Sequence, residues 1–567
     1  MRTYWTYTPI VGTSGDDDVI ADFAAADAIY SYEIVWGGIL GNFELIETWD
    51  RTVDAGAGDD IVIRDRPGDY KADPGVYHEV PGNVLVTGGE GEDTISYALY
   101  EGGVRIDLVV DNGLGLGLAQ AIGTTPDPIF GTDELDGFEH AVGALGNDSI
   151  NGSAIANCLW GLSGADTIRG GGGNDRLWGD ADNDRLFGDA GADTVYGGAG
   201  RDDLRGGTEG DRLEGGGGND TVYGEDGNDL IYGGDGNDLV WGGNGHDVIW
   251  GGAGVDQLGG QDGNDALTLQ GNGGSAYGHA GNDVVTGSTG NDQLHGQDGN
   301  DILQGNAGAD TLNGGAGADT INGGTGTDTA VWEGAAAVVV TLNDLGNGTA
   351  VQAGVTDQLL ALERIVTGWG NDSVTTGSAA NRIETGLGAD TVNAGSGNDT
   401  VLGGDGNDRL DGGWGNDSLV GGNGHDRVLG GQNLDRLDGG SGNDTLLGGN
   451  GADTLTGGSG ADAFIWTGGD AGGWDIVTDF VIGSDRIGFT SFLADPPQAG
   501  ESWVGKVVAF FAENGESTSL SAQTAGGAWQ VFAILRGFED PNVVAAAIAD
   551  GSLFSGVVPE GPGGLLG

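Results

Sequence analysis

Along most of the chain the hydrophobic positions recur every nine residues. That is neither the 3.6-residue period of a helix nor the unbroken alternation of a long strand. In the series Ile168, Leu177, Leu186, Val195, Leu204, Leu213, Val222, Ile231, Val240 and Ile249, one aliphatic residue stands two places after an aspartate. Glycines fill the first, often the second, and the fourth places of each unit. "GGDGNDLVWGGNGHDVIWGG", residues 233–252, is one such unit written twice. Each unit predicts a glycine-rich turn followed by a three-residue strand whose middle side chain points inward. Glycine lets the turn take positive φ and brings backbone carbonyls close together. So short a strand buries too little to stand alone, so the units must stack.

The register is long-lived. From Asp148 to Asp328 every ninth residue is aspartate, apart from Asn157 and Gly274. A second run goes from Asp372 to Asp462, where only Asn381 departs. The runs are 44 residues apart, which is not a multiple of nine, so the phase breaks between them. Two segments repeat each other without a gap: "TDELDGFEHAVGALGNDSINGSAIANCLWGLSGADTI" (132–168) and "TDQLLALERIVTGWGNDSVTTGSAANRIETGLGADTV" (356–392). Each opens a run and each follows a β-rich spacer, "GEDTISYALYEGGVRIDLVV" or "GTDTAVWEGAAAVVVTLNDL". Isolated units near Asp17, Asp60 and Asp93 predict an irregular β-rich start. The expected organisation is an N-terminal β-rich region (1–142), a first solenoid run (143–331), a β spacer (332–366), a second run (367–465) and a C-terminal β cap (466–567).

Composition sharpens this picture. Glycine accounts for 123 of 567 residues, about three times the usual 7%. There is no Gly-X-Y period and there are 11 prolines, which excludes collagen. The 14 Trp, 12 Tyr and 14 Phe argue against plain disorder. Asp and Glu total 87 against 20 Lys and Arg, for a net charge of −67. Such a chain repels nucleic acid and anionic membranes and attracts cations. A merely solvated acidic surface does not predict carboxylates at regular intervals. Cys158 is the single cysteine, so no intrachain disulfide forms. The opening "MRTYWTYTPIVGTSGDDD" lacks a basic-then-apolar secretory signal. The longest apolar run, "AAAVVVTL" (335–342), is far too short to span a bilayer as a helix, so no transmembrane segment is expected.

The unit G-G-x-G-x-D-x-U-x resembles the nonapeptide of the repeats-in-toxin (RTX) haemolysin-type family, over 143–331 and 367–465. The resemblance implies an all-β chain: a calcium-bound parallel β-roll solenoid in two runs, with β-rich leader, spacer and C-terminal capping regions. In that family two units make one coil. Each Ca²⁺ lies between the turns of units n and n+2, held by aspartate carboxylates and turn carbonyls. Carried over here, the metal ligands are Asp166, Asp175, Asp184, Asp193, Asp202, Asp211, Asp220, Asp229, Asp238, Asp247, Asp256, Asp265, Asp283, Asp292, Asp301, Asp310, Asp319 and Asp328 in the first run. In the second run they are Asp390, Asp399, Asp408, Asp417, Asp426, Asp435, Asp444, Asp453 and Asp462. On this pattern Asp229 pairs with Asp247 and Asp238 with Asp256. Electrostatics agrees: carboxylates one coil apart, about 4.8 Å, repel by about 3 kcal/mol at an effective dielectric near 20. Calcium accepts carboxylates and carbonyls alike, and on the order of 25 bound ions would offset most of the charge.

After Asp462 the chain changes character. "ADAFIWTGGDAGGWDIVTDFVIGSDRIGF" resembles the region that follows the repeats in serralysin-type and other type I-secreted RTX proteins. The resemblance implies an uncleaved C-terminal export signal and an extracellular or cell-surface location. The end, "VVPEGPGGLLG", departs from the acidic-then-hydrophobic tail common in serralysins.

No catalytic signature accompanies the repeats. His78-Glu79 is not followed by a second histidine at helical spacing, so the serralysin zinc motif and its protease chemistry are not expected. There is no Gly-x-Ser-x-Gly and no phosphate-binding loop ending in Lys-Ser/Thr, and the Gly-x-Gly matches are repeat turns. His246, His279, His295 and His425 read as surface or turn residues, and Cys158 as a surface thiol. The last position of many first-run units is an outward aromatic: Trp160, Trp178, Phe187, Tyr196, Tyr223, Tyr232, Trp241 and Trp250. These rings either stack to shield a thin core or offer a face for self-association or for a glycan or cell-surface partner. The expected function is that of a secreted calcium-binding β-roll protein with a structural or binding role, folding on calcium after export, and not an enzyme. The alternatives are a self-assembling surface-layer or matrix protein, and an adhesin or enzyme whose active part lies in 1–142.

Overall fold

The computed structural model describes residues 138–467 and 473–490, together with the strands between Val19 and Asp136 and between Val507 and Arg536 and the adjoining Tyr97 and Leu108. Among these residues every regular element is a β-strand, and no helix is long and apolar enough to cross a membrane. The chain divides into two compact units, 1–293 and 294–567.

Within each unit the repeats alternate between two parallel sheets. Neighbouring strands of a sheet are 18 residues apart: Leu177 pairs with Val195 in one sheet and Leu186 with Leu204 in the other. Two nonapeptides therefore make one coil. The aliphatic residue of each unit faces inward, and Leu177, Leu186, Val195, Leu204, Ile231 and Val240 are fully buried. The core is a thin double file of such side chains, each worth about 1.5–3 kcal/mol on burial.

Most regular strands are six residues long rather than three, as in Arg176–Ala181 and Val248–Ala253. The ladder continues past the aliphatic residue into the glycine-rich stretch, with Asp180 opposite Gly198 and Ala181 opposite Ala199. The inward position after most of these aliphatic residues is a glycine, such as Gly179, and it too is buried.

The duplicated sequence is a duplicated topology. In the first unit Gly103–Asp107, Gly117–Ile122 and Thr132–Asp136 form an antiparallel meander. Its outer strands join parallel neighbours, Ile106 opposite Ile150 and Leu135 opposite Val86. In the second unit Val338–Leu342, Gly348–Gln352 and Val355–Leu360 repeat the arrangement. Here Val340 lies opposite Val374, and Leu359 opposite Ile321. The other sheet runs straight past, Ala330 to Ile365 to Ile383. The nonapeptide phase breaks, but the sheets do not.

Strands that follow Asp17, Asp60 and Asp93 stack in parallel register, Val19 on Ile61 and Ile61 on Thr94. At the other end Ala463–Thr467 pairs with Arg486–Thr490. Asp475–Val477 pairs with Trp529–Arg536, which continues antiparallel through Ser517–Gln523 to Val507–Phe511. His78-Glu79 and the terminal "VVPEGPGGLLG" lie outside the described residues.

Register is thus the property most exposed to mutation. Asn244 is an exposed residue that donates to the Asp226 carboxylate one coil away (2.6 Å). Asn244→Ala removes that surface bond and should cost about 1 kcal/mol. Deleting Asn244 instead shifts the next aspartate and aliphatic residue against the coils that hold them, and should lower the melting temperature several-fold more. Equal melting temperatures for the two variants would rule out the stacked register.

Candidate metal sites in the turns

Each turn is organised around its aspartate. Asp238 is 3% exposed. Its Oδ1 accepts the main-chain N–H of Asp220, one coil earlier (2.8 Å), and its own N–H donates to Oδ1 of Asp256 (3.1 Å). The same contact joins Asp229 to Asp247 (2.9 Å), so both predicted pairs are neighbours. One carboxylate oxygen per turn is thereby committed to the backbone.

The other oxygen has no protein partner. Oδ2 of Asp238 is buried and accepts no hydrogen bond. It lies against Gly233, where a β-carbon would meet Asp238 Oδ2 and the Gly251 carbonyl. Gly234 has φ +117, and a β-carbon there would strike the carbonyl of Gly216. The absence of side chains lets a carboxylate oxygen and carbonyl oxygens converge. A buried, unpaired carboxylate is costly unless a counter-charge meets it. This donor set fits a hard cation that takes six to eight oxygens.

Every predicted ligand except Asp292 has this orphaned Oδ2, and so does Asp372, the first aspartate of the second run. At Asp292 both oxygens are engaged by Ser288: its N–H donates to Oδ2 (2.6 Å) and its Oγ lies 3.1 and 3.2 Å from Oδ2 and Oδ1. Asp372 lacks the usual glycine five places earlier, where Thr367 stands. The nine-residue count from Asp390 was the signal that could have found it. Gly274 offers no carboxylate, and Asn381 presents a buried Oδ1 without a donor.

The electrostatics shows what such a file costs without a counter-charge. Burial pushes the Asp238 carboxyl up to about 6, with Asp256 and Asp235 adding repulsion and the Asp220 N–H opposing. Burial takes Asp211 to about 8 and Asp166 to about 9, again with carboxylate neighbours adding to it. Among the described residues no three His, Cys, Asp or Glu side chains gather into a cluster. A cation between two turns would therefore draw most of its ligands from main-chain carbonyls, which suits calcium and not zinc.

The remaining side chains singled out in the sequence do other work. Nδ1 of His246 accepts the Asn264 N–H (2.8 Å), and Nδ1 of His425 accepts that of Asn443 (2.8 Å). They take the place of asparagines in an outer ladder such as Asn228 Oδ1 to the His246 N–H (2.7 Å). His279 tilts against Trp241 and Tyr277 at 5.9 and 6.1 Å between ring centroids. The Cys158 N–H donates to Nδ1 of His140 (2.9 Å). The outward aromatics form files one coil apart. Trp160 and Trp178 stack at 4.7 Å and 4°, Trp178 and Tyr196 at 5.7 Å and 13°, and Tyr232 and Trp250 at 4.8 Å and 9°. On the opposite sheet Arg169 covers Phe187 (4.0 Å) and Arg205 covers Tyr223 (4.9 Å).

No curated protein sequence matches the chain. Among solved structures it is similar to a hyperactive, Ca²⁺-dependent, β-helical antifreeze protein from an Antarctic bacterium, with 18% identity and a TM-score of 0.25 over 71% of this chain and 84% of that one. It is also similar to the extracellular lipase LipA of Serratia marcescens, with 18% identity and a TM-score of 0.15 over 48% of this chain and 43% of that one. Neither overlap is close enough to carry a functional statement. The model of the RTX calcium-binding nonapeptide repeat matches 135–330 and 366–464, more than half of the residues. With the repeat, the two-sheet coil and the aspartate turns in place, the chain belongs to the RTX calcium-binding repeat family.

Proposed function

We infer that this is an exported calcium-binding β-roll protein with a structural or binding role, whose coils form when the turns take up Ca²⁺. The observation that carries the reading is the file of buried Oδ2 atoms with no protein donor. The aspartates that present them are the ligands, with turn carbonyls completing each site, and on the order of 25 ions are bound. Membership of the family supports export by a type I route and an extracellular or surface location. An unfolded, calcium-free chain suits passage through a channel, and millimolar calcium outside suits folding afterwards. Metal binding to a site absent from the unfolded chain is folding energy.

In metal-free buffer at pH 7.5 the repeats should lose most of their β signal in circular dichroism, and millimolar Ca²⁺ should restore it cooperatively. Mg²⁺ should substitute poorly, because it requires a smaller octahedral site. An equally β-rich spectrum with and without calcium would refute the reading.

The pH dependence should reverse with calcium. Without metal, the turn carboxyls titrate higher in the fold than in the unfolded chain, at about 6 for Asp238, 8 for Asp211 and 9 for Asp166. Their stabilisation is complete below the unfolded value near 4 and is lost as pH rises through 6 to 9. Metal-stripped protein should therefore retain more β signal at pH 5 than at pH 8. With calcium, which needs the carboxylate, the melting temperature should rise over the same interval. A metal-free β signal that grows from pH 5 to 8 would contradict the burial of these acids.

The stacked rings favour a second element of this reading, a face for self-association. Replacing Trp160, Trp178 and Trp250 together by Thr keeps strand propensity and leaves the turns intact. Sedimentation in calcium should show less assembly in that variant with calcium affinity unchanged. Identical sedimentation would leave the rings as a shield of the core, worth about 0.2–1 kcal/mol per cross-strand pair.

A further inference from the structure

Most of the buried aspartates are of two kinds, and the fourth residue before each one separates them; Asp372 stands apart, with a bare Oδ2 although Gly368 is not left-handed. Before Asp184, Asp229 and Asp238 that residue is Asp180 (φ 72), Glu225 (φ 75) and Gly234 (φ 117). In the left-handed conformation it pairs along its sheet, and Oδ2 of the following aspartate keeps no donor. At four other turns the corresponding residue is not left-handed, and its N–H is turned onto the carboxyl. Ala144 donates to Asp148 Oδ2 (2.5 Å), Ser153 to Asn157 Oδ1 (2.6 Å), Ser288 to Asp292 Oδ2 (2.6 Å) and Val481 to Asp485 Oδ2 (2.7 Å). Two further aspartates are closed by an indole instead. Trp332 Nε1 donates to Asp357 Oδ2 (3.0 Å), and Trp466 Nε1 to Asp475 Oδ2 (2.6 Å).

The closed turns stand at the ends of the open files. In the first unit Asp148 precedes and Asp292 follows the file from Asp166 to Asp256 in the same sheet, and Asn157 precedes the file that starts at Asp175. In the second unit Asp475 ends the file through Asp453, and Asp485 ends the file from Asp372 through Asp462. Asp357 sits at the far side of the meander from Asp372.

We propose that these six residues are built-in stops of the calcium files: a protein N–H occupies the oxygen that a cation takes elsewhere, so no calcium binds there. The proposal rests on the calcium reading of the open turns. A polarised N–H directed at the carboxyl oxygen repels a cation at that place and supplies the hydrogen bond that a buried oxygen needs. Asn157 shows that one stop works with a neutral side chain, which could not serve as a carboxylate ligand. A coil at the end of a file also has a regular turn on one side only, so a cation there would lack part of its oxygen shell.

The test compares Asp292→Asn with Asp238→Asn in the full chain, reading calcium bound per chain by equilibrium dialysis and the calcium midpoint of the β signal. Asp238→Asn should lose one to two ions. Asp292→Asn should bind as many as the unaltered chain, with a midpoint within about two-fold, because the amide oxygen still accepts from Ser288. A loss of calcium in Asp292→Asn equal to that in Asp238→Asn overturns the stop while leaving the calcium reading intact. Unchanged binding in both variants overturns the calcium reading, and the stop with it. Ser288→Gly provides a second readout that does not depend on either variant folding. It removes the Oγ contact and frees the turn to become left-handed, so it should gain up to one ion. No gain in that variant overturns the proposal.

Discussion

The hydrogen bond from one aspartate's N–H to the Oδ1 of the aspartate a coil later is the contact on which the architecture depends. It runs as Asp202 to Asp220, Asp220 to Asp238 and Asp238 to Asp256 with little variation, at 2.9, 2.8 and 3.1 Å. To make it, a short acidic side chain must lie inside the turn and point along the stack. That places like charges about 4.8 Å apart with their second oxygens shut away from water. The 18-residue register, the glycine whose missing β-carbon makes room, and the need for a counter-charge all follow from this one geometry. The aliphatic core alone is too thin to impose it, since each unit contributes a single fully buried side chain.

The outer faces compensate for that thinness differently along the chain. In the first unit flat rings stack coil on coil, and arginines lie over rings on the other sheet. Arg169 also pairs with Asp189 (3.2 Å), and Arg205 with Glu225 (3.3 Å). These pairs are exposed, so they contribute little on their own. Their effect is to cover the sheet with the stems and planes of side chains. In the second run Leu402 and Val420 meet in register on one sheet, and Asp411 and Leu429 on the other. That face does the same work without aromatic rings. Shielding of a sheet is thus not tied to one residue type, whereas the turn chemistry is.

Much of this was legible in the sequence because a repeat multiplies a weak local signal. A single Gly-x-Asp says nothing, but the same spacing held from Asp148 to Asp328 identifies the turn and the inward aliphatic residue, and the family resemblance it carries implies the pairing of Asp238 with Asp256. Strand length was not legible. The extra residues join the ladder only because a partner such as Gly198 arrives opposite Asp180 from the next coil. The continuity of the second unit was hidden for the same reason. Ala330 reaches Ile365 across a meander that breaks the nine-residue count. The singular behaviour of Asp292 was the hardest to foresee. Leu162 takes φ 84 before Asp166, yet Ala144 does not become left-handed before Asp148. Two ordinary aliphatic residues at the same place choose opposite conformations, so residue type alone does not announce the choice.

That choice carries physical weight. Holding a non-glycine residue in the left-handed region costs about 1–2 kcal/mol. The chain nevertheless does so at Leu162, Asp180, Asp189, Glu225, Gln261, His279, Gln297 and Asn306. In each case the alternative is visible in the same molecule: the right-handed side of the map, where Ala144 and Ser288 hydrogen-bond their own carboxyls without that strain. If nothing else met the carboxylate oxygen, the unstrained turn would gain in backbone energy and in the bond to the carboxyl, against the ladder pairing that the left-handed turn makes, as between Asp180 and Gly198. A stronger partner for the oxygen tips that balance towards the strained turn. A doubly charged cation shared by successive turns is such a partner, and an N–H is not. The left-handed, side-chain-bearing residues are therefore as informative about the turns as the aspartates themselves.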